Sequence, residues 1–152
     1  YILASAIPMP YARIMAEYFF YGTLMDPEVA REILGRPLSG CSPAQGILPG
    51  YKRVCVEGAS YPAIKLDPDH HVDGLVVSRI SELEAFRLKR YEGSDYDMLS
   101  LGIQVLDSVI ENVRVFTPKE TLKLTDTPWD FKRWQSEDKK RFLKAIQRNT
   151  LV

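Results

Sequence analysis

Among this sequence's 152 residues, cysteine and histidine, the thiol and imidazole ligands of zinc-type sites, are scarce. There are two cysteines, Cys41 and Cys55, and two histidines, His70 and His71. The cysteines form no CxxC motif, and no His/Cys spacing suits zinc. One disulfide is possible by count, but two buried free thiols in a reducing compartment is the expectation. The histidines are adjacent, and neighbouring side chains on an extended segment point to opposite sides, which prevents them from easily sharing one metal. Their polar run, Asp67-Pro68-Asp69-His70-His71, reads as a turn between strands.

A net charge is lacking too: 20 basic residues balance 20 acidic ones. Without a basic excess, the simplest case for nucleic-acid binding falls away. A balanced charge with 45% hydrophobic residues also argues against disorder. No stretch reaches the ~18–20 apolar residues that cross a bilayer. The segment from Tyr1 to Ala16 is fairly apolar, yet it holds Pro8, Pro10 and Arg13 and shows no basic n-region, so it is no clean signal peptide. It is expected to form an N-terminal arm over residues 1–17, ahead of one domain over 18–152. A cytoplasmic location, no metal and no cofactor are the corresponding expectations. Monomer and homodimer both stay open.

What is there is an ordinary globular composition, long enough to bury a core without staples. The charge is unevenly placed. From Trp129 onward, seven basic residues (Lys132, Arg133, Lys139, Lys140, Arg141, Lys144, Arg148) face three acidic ones (Asp130, Glu137, Asp138). A solvated helix face is the simplest reading of that run, and a tail that touches an acidic partner or phosphate is the other.

The aromatic run Tyr18-Phe19-Phe20-Tyr21 predicts a strand buried on both faces. Asp26-Pro27 predicts a helix start and Gly35 its end. β character follows from Ala44 to Val56, with Gly46 suggesting a bulge or bend and Pro49-Gly50 a turn. Tyr61 to Leu66 and Val72 to Ile80 read as two further strands. Ser81-Glu82-Leu83-Glu84 fits a capping box opening a helix to Tyr91, with Leu83, Phe86, Leu88 and Tyr91 as a partial apolar face. Strands follow over Met98 to Leu106 and Val109 to Phe116. Thr127-Pro128 then reads as a cap opening a helical region broken near Ser136, with Phe131, Trp134, Phe142 and Ile146 on one face. Consecutive strands exclude a regular βαβ alternation. The class is α+β, a five- or six-stranded sheet curling toward a small barrel.

Two places could carry chemistry. At Tyr21-Gly22-Thr23-Leu24-Met25-Asp26-Pro27 a strand turns into a helix. Such a junction can aim several backbone N–H groups at one point, an anion site, or be an ordinary turn. At Tyr91-Glu92-Gly93 a carboxylate stands at a helix C-terminus, where the dipole disfavours its charge. Partly buried there, Glu92 would have a raised pKa suited to acid/base work; fully exposed, it would be an ordinary surface residue.

Four pieces in order bear a family resemblance: Phe20-Tyr21-Gly22-Thr23-Leu24-Met25, Leu48-Pro49-Gly50-Tyr51-Lys52-Arg53, Tyr61-Pro62-Ala63-Ile64, and Leu88 through Tyr96 with Tyr91-Glu92-Gly93 inside it. With Trp129 to Trp134 they resemble the gamma-glutamylcyclotransferase-like superfamily, which includes the plant avirulence-induced-gene family. The resemblance implies a small mixed β barrel flanked by helices and a small-molecule substrate. It implies that Glu92 is the catalytic acid/base and that the loop of Tyr21, Gly22, Thr23 and Leu24 binds substrate, with the backbone N–H groups of Gly22, Thr23 and Leu24 as donors. Tyr61, Pro62 and Tyr96 would line the pocket. The implied reaction closes a gamma-glutamyl amine or peptide on itself and releases 5-oxoproline, with no cofactor.

One departure stands out: Asp97 occupies a position where many members place Arg, reversing a charge expected near the pocket. Two other readings therefore accompany the first. The same Glu92 and pocket would serve a cyclase or isomerase acting on an intermediate of specialised metabolism. Alternatively, the domain binds a small ligand without catalysis.

Overall fold

The computed structural model describes residues 16–150. The expected N-terminal arm lies outside the described residues, apart from Ala16 and Glu17, which open the first strand. Six strands, β1 (Ala16–Phe20), β2 (Ala44–Val56), β3 (Pro62–Ile80), β4 (Tyr96–Val105), β5 (Ser108–Pro118) and β6 (Leu124–Pro128), are joined by four helices, α1 (Pro27–Leu34), α2 (Glu82–Glu92), α3 (Phe131–Glu137) and α4 (Lys139–Thr150). Short 3-10 turns cover Thr23–Met25 and Leu38–Cys41. The first five strands close into a mixed barrel in the order β3-β1-β5-β4-β2, with β2 pairing back to β3 and β6 added to β2. Among the described residues, only the β1–β5 pairing is parallel.

The aromatic run explains how barrel and helices share one strand. Successive side chains on β1 point to opposite sides. Phe19 and Tyr21 enter a cluster with Leu48, Ile64, Val72, Ile103 and Val115 inside the barrel. Tyr18 and Phe20 join Val29, Leu34, Leu88 and Trp134, between barrel and helices. The first two helix starts obey their sequence signals. Asp26 caps α1 by accepting from the N–H groups of Glu28 and Val29, with Pro27 first in the helix and Gly35 closing it. Ser81 and Glu84 form the full capping box of α2.

Several expectations need correction. The polar run Asp67 to His71 does not separate two strands, because β3 runs through it without a break. The ladder with β2 jumps from Leu66 opposite Tyr51 to His71 opposite Pro49, so the turn chemistry is spent on a bulge. Asp67 makes the local turn bond there, accepting from the Asp69 N–H at 3.1 Å. Pro49-Gly50 is the other side of the same irregularity, not a chain reversal. At Gly46 the pairing is regular; glycine is needed because a Cβ would meet the Ile103 side chain at 2.7 Å.

Thr127-Pro128 does not cap a helix. It ends β6, and Asp130 caps α3 by accepting from the Arg133 N–H. The helical break falls at Asp138, two residues beyond Ser136. On α2, Leu88 is buried as expected, but Leu83 and Phe86 are exposed and Glu84 is buried instead. A carboxylate can take an inward position there because Arg36 grips it with Nε at 2.6 Å and Nη2 at 3.0 Å. Both cysteines are free thiols, Cys41 buried and Cys55 half-buried. No helix among the described residues is long and apolar enough to cross a membrane.

Candidate active site

A cavity of about 800 Å³ opens between one mouth of the barrel and helices α1, α2 and α4. That volume suits a small metabolite. Tyr21, Gly22, Thr23, Leu24, Tyr61, Pro62, Glu92 and Tyr96, which lie in three separate stretches of sequence, all line it.

Glu92 is the last residue of α2 and faces the cavity half-buried. Its carboxyl has no hydrogen bond or ion pair among the described residues, and burial alone pushes its pKa up to about 8. The neighbours at this end of the cavity are phenols, not cations. Tyr21 donates to the Phe116 carbonyl at 2.7 Å, and Tyr96 donates to the Pro62 carbonyl at 2.8 Å. Burial holds the hydroxyls of Tyr21, Tyr91 and Tyr96 protonated far above neutral pH, and the nearby Glu92 charge adds to this. Glu92 therefore sits among neutral groups that do little to stabilise its ionised form.

The loop from Gly22 to Leu24 forms the adjacent wall. Gly22 is required by close approach, since a Cβ there would lie 2.8 Å from the Pro62 ring. Met25 and Asp26 donate back to the carbonyls of Gly22 and Thr23, both at 3.0 Å. Being the first groups of a 3-10 turn, the N–H groups of Thr23 and Leu24 have no partner within it. With that of Gly22, they have no acceptor among the hydrogen bonds of the described residues. The Thr23 Oγ1 lies 2.6 Å from the Tyr91 hydroxyl, tying this loop to the residue before Glu92. One carboxyl of high pKa and a loop with free backbone donors thus line the same cavity. That arrangement can move a proton and stabilise an oxyanion.

The structure also shows wall residues that sequence reading did not assign to the site. Phe142, Ala145 and Ile146 of α4 close the cavity on its outer side. Their i, i+3, i+4 spacing was a readable signal, but it fits an ordinary core face equally well. Arg87 and Arg90 of α2 and Glu32 of α1 stand on the rim. The basic final stretch is not purely a solvated face. Lys139 bonds Asp26 at 2.9 Å and Glu28 at 2.7 Å, fixing the start of α4 against the start of α1. The expected charge reversal at Asp97 does not reach the pocket. Tyr96 faces the cavity, so its strand neighbour Asp97 faces away, exposed and 3.8 Å from Lys119.

Known proteins share this fold and sequence pattern. The family described as "Gamma-glutamyl cyclotransferase, AIG2-like" matches residues 18–136. The chain is 31% identical over 137 residues to AIG2-like protein C of Arabidopsis thaliana, covering 87% of this chain and 76% of that protein. An Arabidopsis thaliana protein solved in solution superposes with a TM-score of 0.63 at 26% identity, covering 87% of this chain and 88% of that one. A structure named gamma-glutamyl cyclotransferase superposes with a TM-score of 0.58, covering 72% of this chain and 69% of that one; its 17% identity supports the fold alone.

Proposed function

The chain belongs to the gamma-glutamyl cyclotransferase, AIG2-like family, and from that premise we propose that it cyclises a gamma-glutamyl amine or peptide to 5-oxoproline with Glu92 as general acid/base. The observation that carries this reading is the Glu92 carboxyl, pushed up to about 8 with no donor, in one cavity with the Gly22–Leu24 loop.

The substrate's own groups define the steps. At neutral pH its α-amine is an ammonium and cannot attack. A carboxylate with a pKa near 8 is a far stronger base than an ordinary one and so is better matched to take one of its protons. The freed amine attacks the γ-carbonyl carbon. A C–N bond forms, the ring closes, and charge moves to the carbonyl oxygen. The N–H groups of Gly22, Thr23 and Leu24 stabilise that oxygen, at about 3–4 kcal/mol per well-placed donor. As the tetrahedral centre collapses, the original amide C–N bond breaks. Protonated Glu92 returns its proton to the departing nitrogen, and the ring nitrogen gives up a second proton to it. The products are 5-oxoproline and a free ammonium compound. Holding the folded substrate ready for attack is worth about 7–11 kcal/mol when orientation is good.

The test follows 5-oxoproline release from a panel of gamma-glutamyl peptides and amines, by the parent and by Glu92→Gln. The parent is expected to release it, with a rate that rises with pH as Glu92 loses its proton near 8. Glu92→Gln is expected to lose about 10²–10⁴-fold in kcat while still folding. No release from the whole panel by folded parent protein overturns the reading.

A further inference from the structure

Directly behind the Gly22–Leu24 loop lies a half-buried cation that the mechanism above does not use. Among the described residues, Arg53 of β2 makes hydrogen bonds only to carbonyl oxygens. Its Nη1 donates to Tyr21 at 2.8 Å and to Asp73 at 3.0 Å, and its Nε to Trp129 at 3.3 Å. The guanidinium also stands 5.5 Å from the centre of the Trp129 ring. Arginine stays charged in such a place, and a charge taken from water without a bonded carboxylate is a costly placement.

The bond to Tyr21 gives that placement a use. The Tyr21 carbonyl and the Gly22 N–H are the two ends of one peptide unit. The described chain has no cis peptide bond, so the two ends point in opposite directions. With its oxygen turned to Arg53, this unit turns its N–H the other way. Gly22 lines the cavity and Arg53 does not. The Gly22 N–H has no acceptor among the hydrogen bonds of the described residues. A cationic donor on the oxygen draws electron density from the amide nitrogen and strengthens the N–H as a donor.

We propose that Arg53 is a positioning residue that polarises the Tyr21–Gly22 peptide, making the Gly22 N–H a reinforced donor to an oxyanion in the cavity. The catalytic part of this proposal rests on the reading of the Gly22–Leu24 loop given above. Its physical core, the state of one amide, is readable without turnover. Arg53 also bridges the end of β1, β3 and the segment after β6. A purely structural role would lower thermal stability on mutation and leave the Gly22 amide as it was.

The experiment follows the Gly22 amide proton by NMR in isotope-labelled parent, Arg53→Lys and Arg53→Met, with the distant Gly58 amide as a control. Arg53→Met is expected to shift the Gly22 proton upfield and leave Gly58 in place. It is expected to lose about 10-fold in kcat with KM changed less than about 3-fold, a part of the 10²–10³ that a whole oxyanion donor is worth. Arg53→Lys should restore part of both effects. If Arg53→Met does not fold, Arg53→Lys decides alone, because its compact ammonium cannot reach every carbonyl that the guanidinium holds. An unmoved Gly22 proton in a folded variant overturns the proposal, and so does a loss confined to thermal stability. A parent inactive on every gamma-glutamyl compound overturns the proposed reaction and leaves the amide measurement to judge Arg53.

Discussion

Glu84 and Glu92 stand near opposite ends of helix α2 and differ in almost everything except residue type. Glu84, in the first turn, is 8% exposed and accepts from the Ser81 N–H at 2.9 Å and twice from Arg36. Burial works to raise its pKa, but the Arg36 and Ser81 hydrogen bonds outweigh that and hold it below the usual carboxylate range. Glu92, in the last turn, is more exposed yet has no donor, and its pKa is pushed up to about 8. The helix dipole widens the gap, since it favours negative charge at the N-terminus and disfavours it at the C-terminus. Burial alone therefore does not make a proton-transfer group. What matters is whether the fold supplies donors, and here one helix supplies them at one end and withholds them at the other. Asp26, fully buried at the start of α1, follows the Glu84 pattern. Burial raises its pKa, and Gln135, Lys139 and the Val29 N–H together bring it below normal.

The contrast breaks most visibly at the well-partnered end. Glu84→Ala removes the Arg36 bridge and half of the capping box together. A loss of about 3 kcal/mol in unfolding free energy is expected at pH 7, measured by urea titration. Because Glu84 is held below its ordinary pKa, its contribution is present above about pH 4.5 and fades as pH falls through the folded-state value. The parent and Glu84→Ala should thus converge in stability toward pH 3. A gap of constant size down to pH 3 would mean that the Glu84 charge plays no part.

Glu92→Gln should do the reverse. A folded-state pKa raised from 4.5 to about 8 makes the parent progressively less stable, relative to acid, as pH rises through that window. The glutamine variant escapes this. It should match the parent near pH 4 and exceed it by about 2 kcal/mol at pH 9, less than the full shift implies because the cavity admits water. Equal stability at both pH values would show that Glu92 titrates normally and would remove its claim to acid/base work.

These two ends were unequally legible in the sequence. The capping box could be read from Ser81 and Glu84 because its partners lie within one turn. The grip of Arg36 could not, because that residue is 48 positions away and reaches Glu84 only after α1 packs on α2. Glu92 could be singled out from Tyr91-Glu92-Gly93 and its family resemblance. Its lack of donors is a property of the assembled cavity. The barrel was legible in its strands, whose alternation and aromatic runs are local. The turn residues misled at Asp67 to His71 and at Thr127-Pro128, where strong turn chemistry was absorbed into a bulge and a strand end. Asp97 misled for a different reason: a one-residue step along β4 reverses the facing of a side chain, and no motif distance reveals which residue faces in. The α4 wall was visible as an amphipathic face, but nothing local says that its far side is a cavity instead of packed core.

The smallest effect tests whether the two ends of α2 are independent. Ser81→Ala removes the hydroxyl that accepts from the Glu84 N–H at 3.2 Å. The reciprocal bond, from the Ser81 backbone to Glu84, survives because it needs no Ser81 side chain. A loss of about 1 kcal/mol is expected, typical of an N-cap truncation. Glu92 lies eleven residues further on, about 16 Å along a helix that rises 1.5 Å per residue. At that distance two substitutions with no shared partner should add within about 0.5 kcal/mol. Ser81→Ala with Glu92→Gln should therefore show the sum of the single effects at pH 9, measured by urea titration. The rise of the Ser81→Ala rate with pH should also stay where the parent's lies. A shifted profile, or a sum that fails, would mean that fraying at the start of α2 is felt at its end. The high pKa of Glu92 would then depend on the whole helix being held, and not only on the donors missing around one carboxyl.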